Sequence, residues 1–407
     1  MGRSQAGLAA SRPFVFDLGL TPLELEAGPR LARPALRGWW WGPAEAEAST
    51  HAALAEVTHA PWQLTPAAAD APRARGRLDP RFPIILVVHA LTGDMVVGGG
   101  GGGGWWAPLV APGASLDPAR AHVLCFNNLG GCYGSTGPLD ADFPDRDAPK
   151  LSTWDQARAL LAALDALGVG EVALAVGGSL GGMITLALAT LAPGRFARVV
   201  PLAASAAASP WVVGLNHVQR ALVARDLEAR GPADEGAEPT GLELARRLAM
   251  LSYRAEPGLE LTQGRRLAPD GRFAIETYLE HQGRKLARRF DPRAYLAQLA
   301  AMDAHDVERA PRGFVGSWRG LERVEATVVA AGVDTDLLFF PSHAAALAAR
   351  IPGAVARTIT SPHGHDAFLI ELDQVDAILR EALARAPFAA RARGARRAAP
   401  RLHEEVR

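Results

Sequence analysis

Between residues 83 and 205, short apolar runs alternate with stretches whose apolar positions recur every three or four residues. The runs are PIILVVHA (83–90), HVLCFNN (122–128), EVALAV (171–176) and RVVPLAA (198–204). Each is too short for a helix, and PIILVVHA is rich in β-branched residues, the pattern of a buried parallel strand. STWDQARALLAALDALGV (152–169) has helical spacing, with Ser152 as N-cap and Gly168 as stop. LGGMITLALATLAP (180–193) is a second helix, halted by Pro193. Strand and helix in strict alternation predict an α/β fold: a mostly parallel sheet with helices on both faces.

From about 206 to 312 the strand signal vanishes. Segments such as NHVQRALVARDLEA (216–229) and PRAYLAQLAAMDAHDV (292–307) have helical spacing only, so this block reads as an inserted all-helical cap. Strands resume with RVEATVVAAG (323–332) and AVARTIT (354–360), and AFLIELDQVDAILREALA (367–384) is a closing helix. The expected organisation is a first part of the core at 1–205, the cap at 206–312, the rest of the core at 313–387, and an Arg-rich disordered tail at 388–407. Residues 1–80 are poorly patterned. Within them RLARPALRGWWWGPAE (30–45) reads as an edge hairpin and TPAAADAPRARGRLDP (65–80) as loop. The run Gly98–Gly104 has no side chains to pack and no following Lys-Ser/Thr, so it reads as a flexible insertion, not a phosphate loop.

Composition narrows the function classes. A chain of 407 residues, 49% of them hydrophobic, has material for a large core. Lys+Arg and Asp+Glu balance at 43 each, which gives no field to recruit nucleic acid or an anionic membrane. Cys125 and Cys132 make no disulfide framework, and no Cys/His cluster has zinc spacing, so no metal is expected. MGRSQAGLAASRPF lacks an apolar signal core, and no apolar run reaches bilayer length, so the expected location is the cytoplasm.

The chemistry centres on Gly177-Gly178-Ser179-Leu180-Gly181, a Gly-x-Ser-x-Gly motif between a strand and a helix. Such a turn lifts a serine oxygen above the sheet, beside helix N-terminal amides that stabilise negative charge. Serine needs a base, and the base needs an orienting carboxylate. In this motif's setting the partners follow in the order acid, then histidine, each after a later strand. Asp334 or Asp336 supplies the first, and His363 or His365 the second.

Several long segments then resemble the homoserine O-acetyltransferase family of α/β-hydrolase-fold acyltransferases. They are HALTGD (89–94), NNLGGCYGSTGP (127–138), GGSLGGM (177–183), NHVQRAL (216–222), MLSYR (250–254), HQGRKLARRFDPRAYLAQLAAMDAHD (281–306), DTDLLFFP (334–341) and GHDAFL (364–369), in family order. The resemblance implies Ser179 as nucleophile, Asp336 as orienting acid and His365 as base, leaving Asp334 and His363 structural. It places the oxyanion hole at the backbone amides of Leu91 and Leu180. It assigns Arg220 to the carboxylate of an amino-acid acceptor and Asp366 to its ammonium group. It implies small-molecule substrates, no bound cofactor beyond acetyl-CoA as co-substrate, and a homodimer formed through the cap. The expected reaction is acetyl transfer from acetyl-CoA to L-homoserine through an acyl-serine, for methionine synthesis. Succinyl transfer, a serine acceptor and plain ester hydrolysis stand as alternatives, since one methylene in a pocket discriminates by only about 1–3 kcal/mol.

Overall fold

The computed structural model describes residues 9–387, apart from 55, 58–62, 69, 100–102 and 231–237. The tail at 388–407 and the middle of the glycine run therefore lie outside the described residues. The strands are β1 (Phe14–Gly19), β2 (Leu23–Glu24), β3 (Arg30–Leu31), β4 (Ala35–Trp41), β5 (Ile84–Val88), β6 (His122–Phe126), β7 (Leu174–Gly178), β8 (Arg198–Leu202), β9 (Thr327–Val333) and β10 (Val355–Ile359). The helices are α1 (Glu47–Ala53), α2 (Thr153–Ala166), α3 (Leu180–Leu191), α4 (Pro210–Ala229), α5 (Thr240–Tyr253), α6 (Glu256–Thr262), α7 (Ala274–Ala287), α8 (Pro292–Asp303), α9 (Ser342–Arg350), α10 (Ala367–Ile370) and α11 (Leu372–Ala384).

Eight strands form one sheet in the order β1-β4-β6-β5-β7-β8-β9-β10. The six from β6 to β10 are parallel and come from the six apolar runs. Their alternate residues face two separate cores. Leu86, Val88, Ala175, Val199 and Val328 pack with α2, α3 and α9 on one face. Ile85, Val87, Val176, Val200 and Val329 pack with α11 and the Met95–Leu116 segment on the other. Burial on both sides explains why the five inner strands read as apolar runs, whereas the edge strand β10 is partly exposed and carries Arg357 and Thr358. Ser152 caps α2 as expected, in a capping box with Asp155.

The N-terminal region differs from its reading as an edge hairpin at 30–45. β4 pairs antiparallel with β6 and carries β1 antiparallel on its outer side, so it is an inner strand. The hairpin partner is FVFDLG, sixteen residues upstream of β4 on the far side of the small β2–β3 pair. A buried bidentate ion pair, Arg37 Nε to Asp17 Oδ1 at 2.7 Å and Nη2 to Oδ2 at 3.0 Å, fastens the two strands. Of the described glycines of the run, Gly103 has open space around it, but the others do not. A methyl on Gly104 would lie 2.0 Å from the Val97 carbonyl carbon, one on Gly98 2.6 Å from Val110 and one on Gly99 2.6 Å from the Trp41 ring. At these three positions the chain passes too close for a side chain. The closing helix is broken at Glu371 into α10 and α11, and the Glu371 carboxylate accepts a hydrogen bond from the Ser361 hydroxyl instead.

Helices α4–α8 lie between β8 and β9 in the chain, and α4, α5 and α7 pack mainly on one another. No described helix is long and apolar enough to cross a membrane. The chain leaves β5 for β6 on one side and later adds β7 on its other side. The loops after β5 and β7 therefore diverge and open a crevice at the carboxyl ends of the strands, the usual ligand position in such sheets.

A sharp packing constraint sits beside that crevice. A methyl on Gly181 would lie 2.1 Å from the Val88 carbonyl oxygen and 2.9 Å from that of His89. Gly181→Ala is expected to destabilise the protein by at least about 1–3 kcal/mol, because backbone has to move. A urea midpoint unchanged to within about 0.5 kcal/mol would show that the turn has slack.

Candidate active site

Ser179 links β7 to α3 with φ +57° and ψ −126°, a left-handed conformation that a serine adopts only under constraint. The flanking glycines supply that constraint. A methyl on Gly177 would lie 2.5 Å from the Gly181 backbone, and one on Gly178 2.4 Å from the Phe368 ring. The Ser179 N–H donates to the Leu202 carbonyl at 2.9 Å, tying the turn to β8. The side chain stands at the start of α3, where the first amides, Leu180 among them, have no partner within the helix.

His365 lies in a short turn after β10 and Asp336 in the turn after β9. The His365 Nδ1 donates to Asp336 Oδ2 at 2.7 Å. The other carboxylate oxygen accepts the amides of Leu338 at 2.8 Å and Phe339 at 2.9 Å, so the acid is locked by its own turn. Both side chains are buried, and the imidazole is boxed by Phe339, Phe368 and Tyr253 with ring centroids 5.4, 5.6 and 5.7 Å away. Its Nε2 has no hydrogen-bond partner among the described residues. Burial disfavours the imidazolium, but the charge and hydrogen bond of Asp336, with Asp366 adding to them, outweigh it, and the His365 pKa is raised above 6.5. The neighbouring candidates are placed otherwise. Asp334 Oδ1 accepts the Ser361 amide at 3.0 Å, and His363 Nδ1 lies 3.4 Å from an Arg254 nitrogen.

A cavity of about 220 Å³ has Leu91, Ser179, Arg246, Arg289, His365 and Asp366 on its wall. Leu91 belongs to the loop after β5, and His89 organises that loop. His89 Nδ1 donates to the Ala90 carbonyl at 2.7 Å and Nε2 accepts the Asn128 amide at 3.0 Å, which defines a neutral tautomer. Burial lowers its pKa, consistent with that state.

Arg220 is absent from this cavity, which corrects its assignment to the acceptor carboxylate. It points from α4 toward α8, pairs with Asp303 and lines a different cavity of about 690 Å³. Asn216 Nδ2 also donates to Asp303, at 2.7 Å, so this cluster joins two helices. The arginines that do line the serine cavity are Arg246 on α5 and Arg289 after α7, neither of them among the sequence-based site candidates; Arg246 is the less engaged. Its guanidinium carbon lies 5.1 Å from the centre of the Tyr253 ring, and it makes no hydrogen bond or close ion pair among the described residues. The available signal was the spacing of Arg246 and Tyr253, seven residues and two turns apart on one helix face. Across from it, Asp366 has an oxygen 3.7 Å from Arg254 Nη1. Burial raises its pKa, and the charges of Arg246, His365 and Arg254 only partly offset this.

A family model described as alpha/beta hydrolase fold matches residues 83–372. The homoserine O-acetyltransferase of Thermus thermophilus is 46% identical over 278 residues, covering 67% of this chain and 70% of that protein. Among solved structures, homoserine O-acetyltransferase from Staphylococcus aureus superposes with a TM-score of 0.68 at 26% identity, over 92% of this chain and 96% of that one. An acetylester hydrolase from Corynebacterium glutamicum gives 0.69 at 20% identity over 91% and 96%, a likeness of fold alone.

The raised pKa of His365 has a kinetic consequence. Only the neutral imidazole accepts a proton, so the rate of Ser179 acylation by an activated ester is expected to fall on the acid side with a midpoint above pH 6.5. Asp336→Asn removes the carboxylate and leaves burial opposed by Asp366 alone, so the midpoint should drop from its wild-type value while the rate falls by roughly four orders of magnitude. A wild-type midpoint at or below 6.5 contradicts the arrangement.

Proposed function

The chain belongs to the homoserine O-acetyltransferase family of α/β-hydrolase-fold enzymes, and on that footing we propose that its serine cavity transfers acetyl from acetyl-CoA to the hydroxyl of L-homoserine. The observation that carries the residue-level reading is the charge layout of the cavity: an uncommitted cation, Arg246, and a carboxylate, Asp366, on the same wall as Ser179. A zwitterionic amino acid needs both, and an arginine fork fixes a carboxylate in orientation as well as in charge. The ammonium group also favours the ionised form of Asp366, opposing the upward push of burial.

In the first half-reaction the Ser179 oxygen attacks the thioester carbonyl while His365 Nε2 takes its proton. The oxyanion is held by the amides of Leu180 and Leu91. The tetrahedral intermediate collapses, the C–S bond breaks, and His365 returns the proton to the departing thiolate. In the second half-reaction His365 takes the proton of the homoserine hydroxyl, whose oxygen attacks the acetyl-serine ester. The C–O bond to Ser179 breaks, the serine oxygen regains a proton from His365, and O-acetylhomoserine leaves for methionine synthesis. Asp336 holds the imidazole in the tautomer both steps require.

Plain hydrolysis uses the same triad with water as acceptor. Arg246 and Asp366 argue for the transferase, since water needs neither anchor. Succinyl as acyl group and serine as acceptor are the remaining variants of this reading. The helical block at 206–312 reads as a cap, and Val218, Leu244 and Leu251 are exposed on α4 and α5, which supports a homodimer formed through it. The expected location is the cytoplasm.

Purified protein given acetyl-CoA or succinyl-CoA, with homoserine, serine or no acceptor, should release CoA in sustained fashion only with acetyl-CoA plus homoserine. Sustained release without acceptor would favour the hydrolase. Arg246→Ala should leave acylation of Ser179 intact and reduce homoserine-dependent deacylation roughly 30- to several-thousand-fold, corresponding to about 2–5 kcal/mol for truncating one partner of a charged pair. Arg220→Ala should leave deacylation within a few-fold of wild type. Reversal of these two results would return the carboxylate site to Arg220.

A further inference from the structure

Two arginines line the serine cavity, and their hydrogen bonding separates them. Arg246 is uncommitted. Arg289, in the link between α7 and α8, is committed: its Nη2 donates to the Thr92 carbonyl at 2.9 Å and its Nη1 to the Tyr133 hydroxyl at 3.0 Å. The Tyr133 hydroxyl in turn donates to the Arg289 backbone carbonyl. A cation so engaged is poorly placed to take a substrate carboxylate without releasing what it holds.

What it holds is the loop after β5. That loop is pinned at its start by His89 and the Asn128 amide, and at its end by the Met95 amide donating to Asn127 Oδ1 at 2.8 Å. Between these anchors lie Ala90 to Asp94, and Trp105 Nε1 donates to the Asp94 carbonyl at 2.9 Å. On Leu91, Thr92 and Gly93, among the described residues, the hydrogen bond from Arg289 is the one side-chain tether. The Gly93 amide closes a turn on the Ala90 carbonyl, which shapes the stretch but does not fix it against the body of the protein. Thr92 directly follows Leu91, so the tethered Thr92–Gly93 peptide is separated from the Ala90–Leu91 peptide, which carries the Leu91 amide, by a single intervening peptide plane, and Leu91 lines the cavity with Ser179.

We infer that Arg289 is a positioning residue, which the helical insertion contributes to hold the Thr92 carbonyl and thereby aim the Leu91 amide at the oxyanion. The inference rests on the acyl-serine reading above. An oxyanion donor acts in both half-reactions and on any acyl donor, whereas an anchor for the acceptor acts in one half-reaction only. That difference separates the possible roles of Arg289.

Pre-steady-state acylation of Ser179 is measured with acetyl-CoA and with p-nitrophenyl acetate, and deacylation with homoserine, for wild type, Arg289→Lys, Arg289→Met and Tyr133→Phe. Arg289→Met is expected to slow acylation by both donors and deacylation by a common factor of roughly 10–100. That is less than the roughly hundred- to thousandfold loss on removing an oxyanion donor outright. The burst amplitude, which counts folded sites, and the KM for homoserine should stay at wild-type values. Arg289→Lys, which keeps the charge and one donor, should recover part of the rate. Tyr133→Phe, which leaves the Thr92 bond, should cost less than Arg289→Met by the same common factor. If Arg289→Met fails to fold, the Lys and Phe variants carry the same comparison. Acylation by p-nitrophenyl acetate at the wild-type rate in the Arg289 variants overturns the inference, as does a loss confined to deacylation or to the KM for homoserine, which would make Arg289 an acceptor anchor. Failure of the wild type to form an acyl-serine overturns the functional reading instead.

Discussion

The close approach of the Ser179 turn to the end of β5 is the constraint on which the rest of the site depends. Gly181 presses against the carbonyls of Val88 and His89, and Gly177 against Gly181. This contact exists only because β5 and β7 are adjacent parallel strands, which forces the loop after β5 to run past the first turn of α3. One packing event therefore sets three features: the positive φ of the serine, the open amides at the helix start, and the proximity of Leu91. The strain is stored in a turn that two strands and the Phe368 ring over-determine, as expected where chemistry requires an exposed nucleophile.

The parallel core and the helical insertion divide the work. The core supplies the reacting groups, with Asp336 and His365 held by the turns after β9 and β10. The insertion supplies charge. Arg246 comes from α5 and Arg289 from the α7–α8 link, and Tyr253 packs against both Arg246 and the imidazole. Commitment sorts the two cations: Arg289 has donors satisfied by Thr92 and Tyr133, while Arg246 makes no hydrogen bond among the described residues. In the proposed reading the first holds the loop after β5 and the second takes the carboxylate of a zwitterionic acceptor.

How much of this was legible in the sequence follows the same division. Five of the six parallel strands are readable because burial on both faces makes each an apolar run, β10 is the partly exposed edge, and the Gly-x-Ser-x-Gly turn falls where a strand meets a helix. The order of acid and histidine after later strands was readable too, while the choice of Asp336 over Asp334 came only with the family resemblance. β1 was missed, because FVFDLG carries a buried Asp17 whose partner, Arg37, is twenty residues away and unpredictable from spacing. For a similar reason the resemblance assigns Arg220, and spacing alone does not set Arg246 above it. Both sit on amphipathic helices of the insertion, and only the docking of α4 on α8 shows that Asp303 takes Arg220 while α5 turns Arg246 to the serine. The glycine run reads as a flexible insertion, yet Gly104 makes one of the closest backbone approaches among the described glycines, against Val97.

The central claim is that Ser179 carries the acyl group between donor and acceptor. Intact and peptide-level mass spectrometry of protein mixed with acetyl-CoA alone tests it most directly. The account predicts a single acetyl mass on the peptide containing Ser179, retained until homoserine is added and then lost with formation of O-acetylhomoserine. An unmodified Ser179 during turnover, or acetyl on another residue that homoserine discharges at the catalytic rate, would contradict it.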